Sequence, residues 1–363
     1  MTEIPETTSA GQPQGPRPPE QLQFTGKGGE YFGIWIVNLL LTLVTLGIYS
    51  PWAKVRKMHY FYRNTQLAGS SFDFHGSPVR ILVGRAIAIV MFIGYNVGVR
   101  LHSWVTLLTL VALAVVMPWL LRNSFRFRLY NTSWRGTRFH FRGSLGGAYR
   151  VFLLNGFLTL ITLYIMMPFT HQRLKAYQHD NTWFGRTQCS FHAGAGQFYL
   201  IYLLALAGLF VVGIVLGVSG VFGSFAALSA AQQHGGHVDP RAMLHVLFVV
   251  YGTLILVAVS IGPIIHALIT NLIWNNTRVG EHRIECRLSP AMLVWITLSN
   301  FVLVIVTLGF FMPWAQVRLA KYQLESTRLL PASDLQEFVE AEPEEPGAIG
   351  EEAATVFDFD IAL

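Results

Sequence analysis

Long apolar runs alternate with short basic stretches along this chain, and the alternation is periodic. Apolar segments of membrane-spanning length fall at 32–50, 81–99, 103–121, 148–167, 198–218, 243–265 and 291–312. Each approaches the roughly 20 residues that carry a helix across a hydrocarbon core. Five of the runs lead into a proline, and each proline opens the same cassette of a stretch that is basic in every copy but the one after Pro263, then Asn-Thr, a glycine and an alternating tail. Asn-Thr stands thirteen and fourteen residues past the proline in four copies: Asn64-Thr65 after Pro51, Asn131-Thr132 after Pro118, Asn181-Thr182 after Pro168 and Asn276-Thr277 after Pro263. The fifth has Ser326-Thr327 after Pro313. A fixed period of this kind is the mark of a fold built by duplication.

The tails Phe72-Asp73-Phe74, Phe139-His140-Phe141 and Cys189-Ser190-Phe191 alternate as half-buried strands do, and Gly69, Gly136, Gly185 and Gly280 suit the turns before them. A fragment of the same tail, Phe24-Thr25-Gly26, opens the region and matches Phe141-Arg142-Gly143. An isolated hairpin is unstable in water, so the copies are expected to pair with one another. The predicted fold class is an all-α polytopic membrane protein with internal repeats. It has about seven apolar segments, three of them candidates for re-entry, plus short β-hairpin elements on the cytoplasmic side.

The prolines lie 67, 50, 95 and 50 residues apart, so single-segment modules (A) alternate with helical-hairpin modules (B) in the order A-B-A-B-A. In each A module an Asn precedes the proline by thirteen residues: Asn38, Asn155 and Asn300. Hydroxyls follow at helical spacing, Thr42 and Thr45, Thr159 and Thr162, then Thr307, which makes a polar intramembrane stripe. Polar groups inside a bilayer are costly and need partners. They read either as adhesion between helices or as the lining of a polar path. Past the proline, Trp52, Arg56 and Tyr60, Arg173 and Tyr177, and Trp314, Arg318 and Tyr322 are candidates for the membrane interface or a lipid headgroup. The B copies have Asn123 and Phe127, or Leu268 and Leu272, at the Arg and Tyr positions.

The run LLLTLVTLGIYSPWAKVRKMHYFYRNTQLAGSSFDFHG, echoed by VIVTLGFFMPWAQVRLAKYQLESTRL, resembles the bacterial YjgN-like inner-membrane family, a domain of unknown function, over residues 23–330. The resemblance implies a multi-pass protein of the bacterial cytoplasmic membrane and brings no catalytic residue with it. The middle A copy departs from the pattern, with Phe169 for Trp and Thr170-His171 for the small and basic pair.

Charge sharpens this picture. Mean hydropathy is +0.44 and charged residues are 13% of the chain, far below a soluble average. The net charge of +6 conceals a basic core, because residues 333–363 hold ten acids and no Lys or Arg. The basic residues flank membrane segments, which is the positive-inside pattern rather than a nucleic-acid surface. Residues 1–22 and 333–363 read as disordered tails around a membrane domain at 23–332. The first 22 residues lack a signal-peptide core, so the first apolar segment is expected to insert uncleaved. If all seven segments cross, the third and fourth cassettes lie opposite the other three. If the A segments re-enter, all five cassettes and both tails are cytoplasmic. The second arrangement partitions the charge more cleanly, and the mid-segment Asn would then satisfy the broken backbone.

No chemistry-bearing constellation emerges. Cys189 and Cys286 replace apolar strand residues, and His102, His245 and His266 recur at no matching position. No metal site, cofactor motif, nucleotide loop or nucleophile–base pair is present, so an enzyme is not expected. The bilayer, with anionic lipids, is the expected partner. Two readings follow: permeation of a small solute or lipid, and a non-catalytic membrane scaffold that binds anionic lipid.

Overall fold

The computed structural model describes residues 18–101, 103–218, 223, 229 and 240–333. His102 and most of the acidic tail lie outside the described residues. After each of the first four prolines the chain runs as helix, short strand, tight turn and longer strand; after Pro313 a helix leads into a single strand. The helices are α1 (Gly28–Val44), α2 (Ser50–Arg63), α3 (Pro78–Leu101), α4 (Ser103–Tyr130), α5 (Leu145–Ile161), α6 (Met167–Asp180), α7 (Ala195–Val218), α8 (Pro240–Asn275), α9 (Pro290–Val306) and α10 (Met312–Glu325). A π-helical stretch at Tyr149–Leu154 interrupts α5.

Asn-Thr closes each helix for a definite reason. The last carbonyls of a helix have no intrahelical donor. Asn64, Asn131, Asn181 and Asn276 each donate from Nδ2 to the carbonyl four residues back, and Ser326 does so from its hydroxyl. Thr65, Thr132, Thr182, Thr277 and Thr327 do the same with Oγ1. Both side chains thus bond carbonyls of the last turn in every copy before the strand starts, and the Tyr60, Phe127 and Tyr322 carbonyls accept a backbone N–H as well.

The strands are β1 (Glu20–Gln21), β2 (Gln23–Phe24), β3 (Thr65–Leu67), β4 (Ser70–Phe74), β5 (Thr132–Trp134), β6 (Thr137–Phe141), β7 (Thr182–Phe184), β8 (Thr187–Phe191), β9 (Thr277–Val279), β10 (His282–Cys286) and β11 (Thr327–Leu330). They form one antiparallel sheet of 11 strands in the order β1-β11-β10-β9-β8-β7-β6-β5-β4-β3-β2. The fold is therefore mixed rather than all-α: the β layer is a continuous near-barrel. β1 falls inside the stretch read from sequence as tail. The turns use left-handed pairs, Ala68-Gly69 at φ 47° and 73° and Arg135-Gly136 at 49° and 81°.

Residues 20–24 join the two ends of this sheet. β1 pairs with β11 and β2 with β3, with only Leu22 between them, and Leu22 N–H donates to the Thr327 carbonyl at 3.1 Å. The same division is seen in β4, whose first residues pair with β3 and whose last pair with β5. One backbone bond recurs around the sheet: His75 to Asn131, Arg142 to Asn181, His192 to Asn276, Arg287 to Ser326, and Thr25 to Asn64. Thr25 thus stands where a return strand of the fifth cassette would end. The helices close the same circle, each packing on the next from α1 to α10 and α10 back on α1.

The A and B modules use proline differently. Pro118 and Pro263 sit inside continuous helices α4 and α8, whereas Pro168 and Pro313 open α6 and α10 and Pro51 opens α2. Trp104–Tyr130, Ala195–Ile214 and Val246–Asn275 are long and apolar enough to cross a membrane. The segments at 32–50, 148–167 and 291–312 do not form spanning helices. Each holds a helix that stops short of the proline, and the chain folds back so that the basic helix lies antiparallel beside it. The break is not at the Asn. It lies at Thr45–Tyr49, Thr162–Met166 and Thr307–Phe311, where each Thr hydroxyl accepts from the backbone N–H four residues on. A 17-residue helix such as α1 is about 25 Å long, so the Asn lies within a continuous helix rather than at a break.

These turns carry two consecutive left-handed residues. Leu46-Gly47 and Leu308-Gly309 do so at modest cost, but the middle copy uses Leu163-Tyr164, with Tyr164 at φ 66°. Glycine alone visits this region freely. Tyr164 is exposed and buries little. Tyr164→Gly is expected to raise stability by about 1 kcal/mol, read as a higher unfolding midpoint in detergent. A lower midpoint would show that the tyrosine ring contributes more than its backbone costs.

Candidate functional site

The polar stripe is spent inside each hairpin. Asn38 donates to the Ala53 carbonyl at 3.4 Å and accepts from Arg56 at 3.5 Å. Asn300 repeats this with Ala315 at 3.2 Å and Arg318 at 3.4 Å. In the middle copy Thr170 takes over, bonding Thr159 at 2.7 Å and the Asn155 carbonyl at 3.3 Å, while Arg173 lies over the Phe169 ring at 5.1 Å. Thr42 bonds back to the Asn38 carbonyl, and Thr45, Thr162 and Thr307 cap their turns. The bonds of these side chains all stay within their own hairpin.

The tyrosines close the other end of each hairpin. Tyr60 Oη accepts from Lys27 N at 2.7 Å and donates to the Lys27 carbonyl at 2.8 Å. Tyr322 makes the same pair with Ser289, and Tyr177 Oη donates to the Ser144 carbonyl. Burial holds the Tyr177 phenol up at about 12, so it stays a donor at any ordinary pH. Trp314 packs on Phe32 of the first hairpin with ring centroids 5.0 Å apart, and a Cβ on Gly28 would collide with it. Trp52 stacks on Tyr49 beside the turn. Arg56, Tyr60, Arg318 and Tyr322 are therefore first of all the clasps that hold basic helix to apolar helix.

The sequence reading missed a different group. Lys175, in the middle of α6, is only 5% exposed, yet no acceptor or carboxylate among the described residues meets its ammonium. Burial, and then the Arg128 guanidinium at the end of α4, pull its pKa down to about 8. His171 and His179 of the same helix and His266 of α8 also feel the Lys175 charge. Gln323 of α10 donates from Nε2 to His266 Nε2 at 2.9 Å. Lys175 of the third cassette thus lies within electrostatic reach of Arg128 in the second and His266 in the fourth, and His266 in turn bonds Gln323 of the fifth. A signal was available: at the Lys175 position the other copies have Met58, Phe125, Thr270 and Ala320. One charge among uncharged equivalents marks a position that packing alone does not explain.

The two cysteines are buried and free, Cys286 within a cluster of Ala267, Leu288 and Leu293. No group of three metal-binding side chains occurs among the described residues. An open polar depression of about 660 Å³ lies at the tips of two neighbouring hairpins, lined by Ser71, Asp73, His75, Ser133 and Arg138 among others. Asp73 there is already engaged by Arg63 and His75 by Ser133.

Comparison with known proteins adds the lineage. A family model described as "Bacterial protein of unknown function (DUF898)" matches residues 19–356. The "Inner membrane protein YjgN" of Salmonella typhimurium strain LT2 is 25% identical over 350 residues, covering 85% of this chain and 88% of the relative. The protein of that name from Escherichia coli O157:H7 is 23% identical over 78% of this chain and 56% of its own length. That from Escherichia coli K12 is 31% identical over 132 residues, 36% of this chain and 33% of its own. No solved structure matches. The chain belongs to the DUF898 family, and the relatives' names and its own three candidate spans make it a protein of the bacterial inner membrane.

Proposed function

We propose, with that membership as premise, that this protein is an internally duplicated, one-sided membrane ring that gathers anionic lipid headgroups as a non-catalytic scaffold. The observation that carries the reading is the sheet. Its strands of 2 to 5 residues are too short to cross a hydrocarbon core, which takes about 9–11, and a sheet continuous through 11 of them supports placing every cassette on one side. All five post-proline helical segments, four of them basic, then hang at one membrane face, with the tails on the cytoplasmic side. The two B hairpins cross and return, while the three A hairpins dip in and come back.

Lys54, Arg56, Lys57, Arg122, Arg126, Arg173, Arg318 and Lys321 lie on these helices. Each Lys or Arg near an anionic surface contributes about 1 kcal/mol of attraction. The solute-path alternative drew on a shared polar stripe, and that stripe is engaged within each hairpin.

Single cysteines at Gln188, Arg283 and Arg100 test the orientation with an impermeant maleimide on right-side-out vesicles. Arg100→Cys should label from outside. Gln188→Cys and Arg283→Cys, both at exposed sheet positions, should label only after permeabilisation. External labelling of either sheet position ends the one-sided reading. Enrichment of anionic lipid over the bulk membrane after mild extraction is the companion result expected for the scaffold.

A further inference from the structure

We propose that the centre of the helical ring is an anion site, built on Lys175, that takes a phosphate group carried by a lipid headgroup or free in solution. The inference rests on the one-sided ring but names a site distinct from its lipid-facing surface.

The first observation is geometric. Lys175 is almost wholly enclosed and its ammonium meets no acceptor or carboxylate among the described residues. Taking an ammonium out of water without a partner costs several kcal/mol. Native structures tolerate this where a ligand repays it or where the charge is discarded. Burial and then the Arg128 charge disfavour the ammonium here, and an anion bound beside it would restore the charged form.

The second observation is the company it keeps. Arg128 from the preceding cassette adds another positive charge, and His266 and Gln323 from the next two bring further donors and acceptors. With Lys175 these come from four successive modules and stand 47 to 195 positions apart in the chain, so no local helix-pairing rule put them together. A centre rich in cations, ringed by hydrogen-bonding side chains and without a carboxylate on Lys175, is complementary to a compact polyanion. Phosphate suits it: Lys binds it as a point charge and Arg through a planar fork.

The position also fits a headgroup. Lys175 lies seven residues past Pro168, about 10 Å along α6 from the hairpin turn towards the sheet. A phosphate there would sit on the aqueous side of the apolar tips, at the depth of lipid headgroups, and its acyl chains could leave between modules.

The test uses the full chain in neutral detergent, with two probes: inorganic phosphate, and phosphatidylglycerol mixed into the micelle. The unfolding midpoint of the wild type should rise with at least one probe, and Lys175→Met should lose that response by tenfold or more in half-saturating concentration. Lys175→Arg should keep part of it. A response to phosphatidylglycerol alone assigns a lipid; a response to phosphate, with or without the lipid, assigns the phosphate group itself. Two results overturn the proposal: equal responses in wild type and Lys175→Met, or no response of the wild type to either probe. If Lys175→Met does not fold, the wild type decides by itself, because occupancy must protect Lys175 from an amine-reactive acylating agent. Unchanged labelling with saturating probe then overturns the site. Bulk enrichment of anionic lipid is measured separately, so this site can fail while the scaffold reading stands, and the reverse.

Discussion

Phe24→Ala should destabilise the protein by about 3–5 kcal/mol, the largest effect expected from one side chain. Phe24 is 4% exposed and packs with Tyr31 and Val317, its ring stacked 5.7 Å from Phe61. These partners come from the first cassette (Tyr31, Phe61) and the last (Val317). Truncation therefore leaves a cavity at the seam where the chain's two ends meet. Elsewhere in the ring the equivalent side chains Phe74, Phe141, Phe191 and Cys286 lie within covalently continuous chain, so the seam has least to hold it once the ring is lost. Gln23→Ala, on the same strand but exposed, should change stability by less than ~0.5 kcal/mol. The measurement is the unfolding midpoint in detergent, together with protease cleavage near residue 26. Equal midpoints for the two variants would mean that the seam does not hold the ring shut.

The second large effect concerns the three hairpin tips. Leu46, Leu163 and Leu308 are 93%, 83% and 90% exposed and stand at the turns. In water such positions tolerate a charge. In lipid a carboxylate costs up to about 3 kcal/mol at mid-bilayer and less at a shallower depth. Because the tips belong to three different hairpins, the three costs should add approximately. Together they compete with the 5–15 kcal/mol that holds an average domain folded. The triple variant Leu46→Glu, Leu163→Glu, Leu308→Glu should accumulate several-fold less in membranes, with each single change intermediate. Glutamate keeps a Cβ, so backbone strain at φ near 50° is unaltered. A fluorophore on Leu46→Cys should be quenched by spin-labelled lipid. Wild-type accumulation with an unquenched probe would place the tips in water.

Much of this architecture was legible in the chain. The Asn-Thr spacing marked the helix ends because a fixed cap chemistry serves them, and Gly69 and Gly136 marked turns because few other residues adopt their backbone. The segments near 103–121 and 198–218 read correctly as long apolar helices. The A segments were harder, because 32–50 has the length and hydropathy of a crossing helix. Its reversal at Leu46-Gly47 depends on a left-handed pair that composition does not announce, and the same Gly could end a helix in many ways. The clasp by Asn38, Arg56 and Tyr60 was half visible: the residues were singled out, but whether Asn38 faced a lumen or its own return helix is not a local property.

By itself, then, the sequence determined the units: which stretches are helical, where the post-proline helices stop, which tails form strands, and that the long apolar helices belong in a membrane. These are set by hydrophobic period, capping side chains and turn residues, all acting within about twenty positions. Only the tertiary structure decided that the strands join into one sheet, that residues 20–24 complete it, and that Lys175 is enclosed near Arg128 and His266. Those outcomes depend on contacts between residues as much as 300 positions apart. The free energy of such contacts comes from closing the ring as a whole, which no single segment encodes.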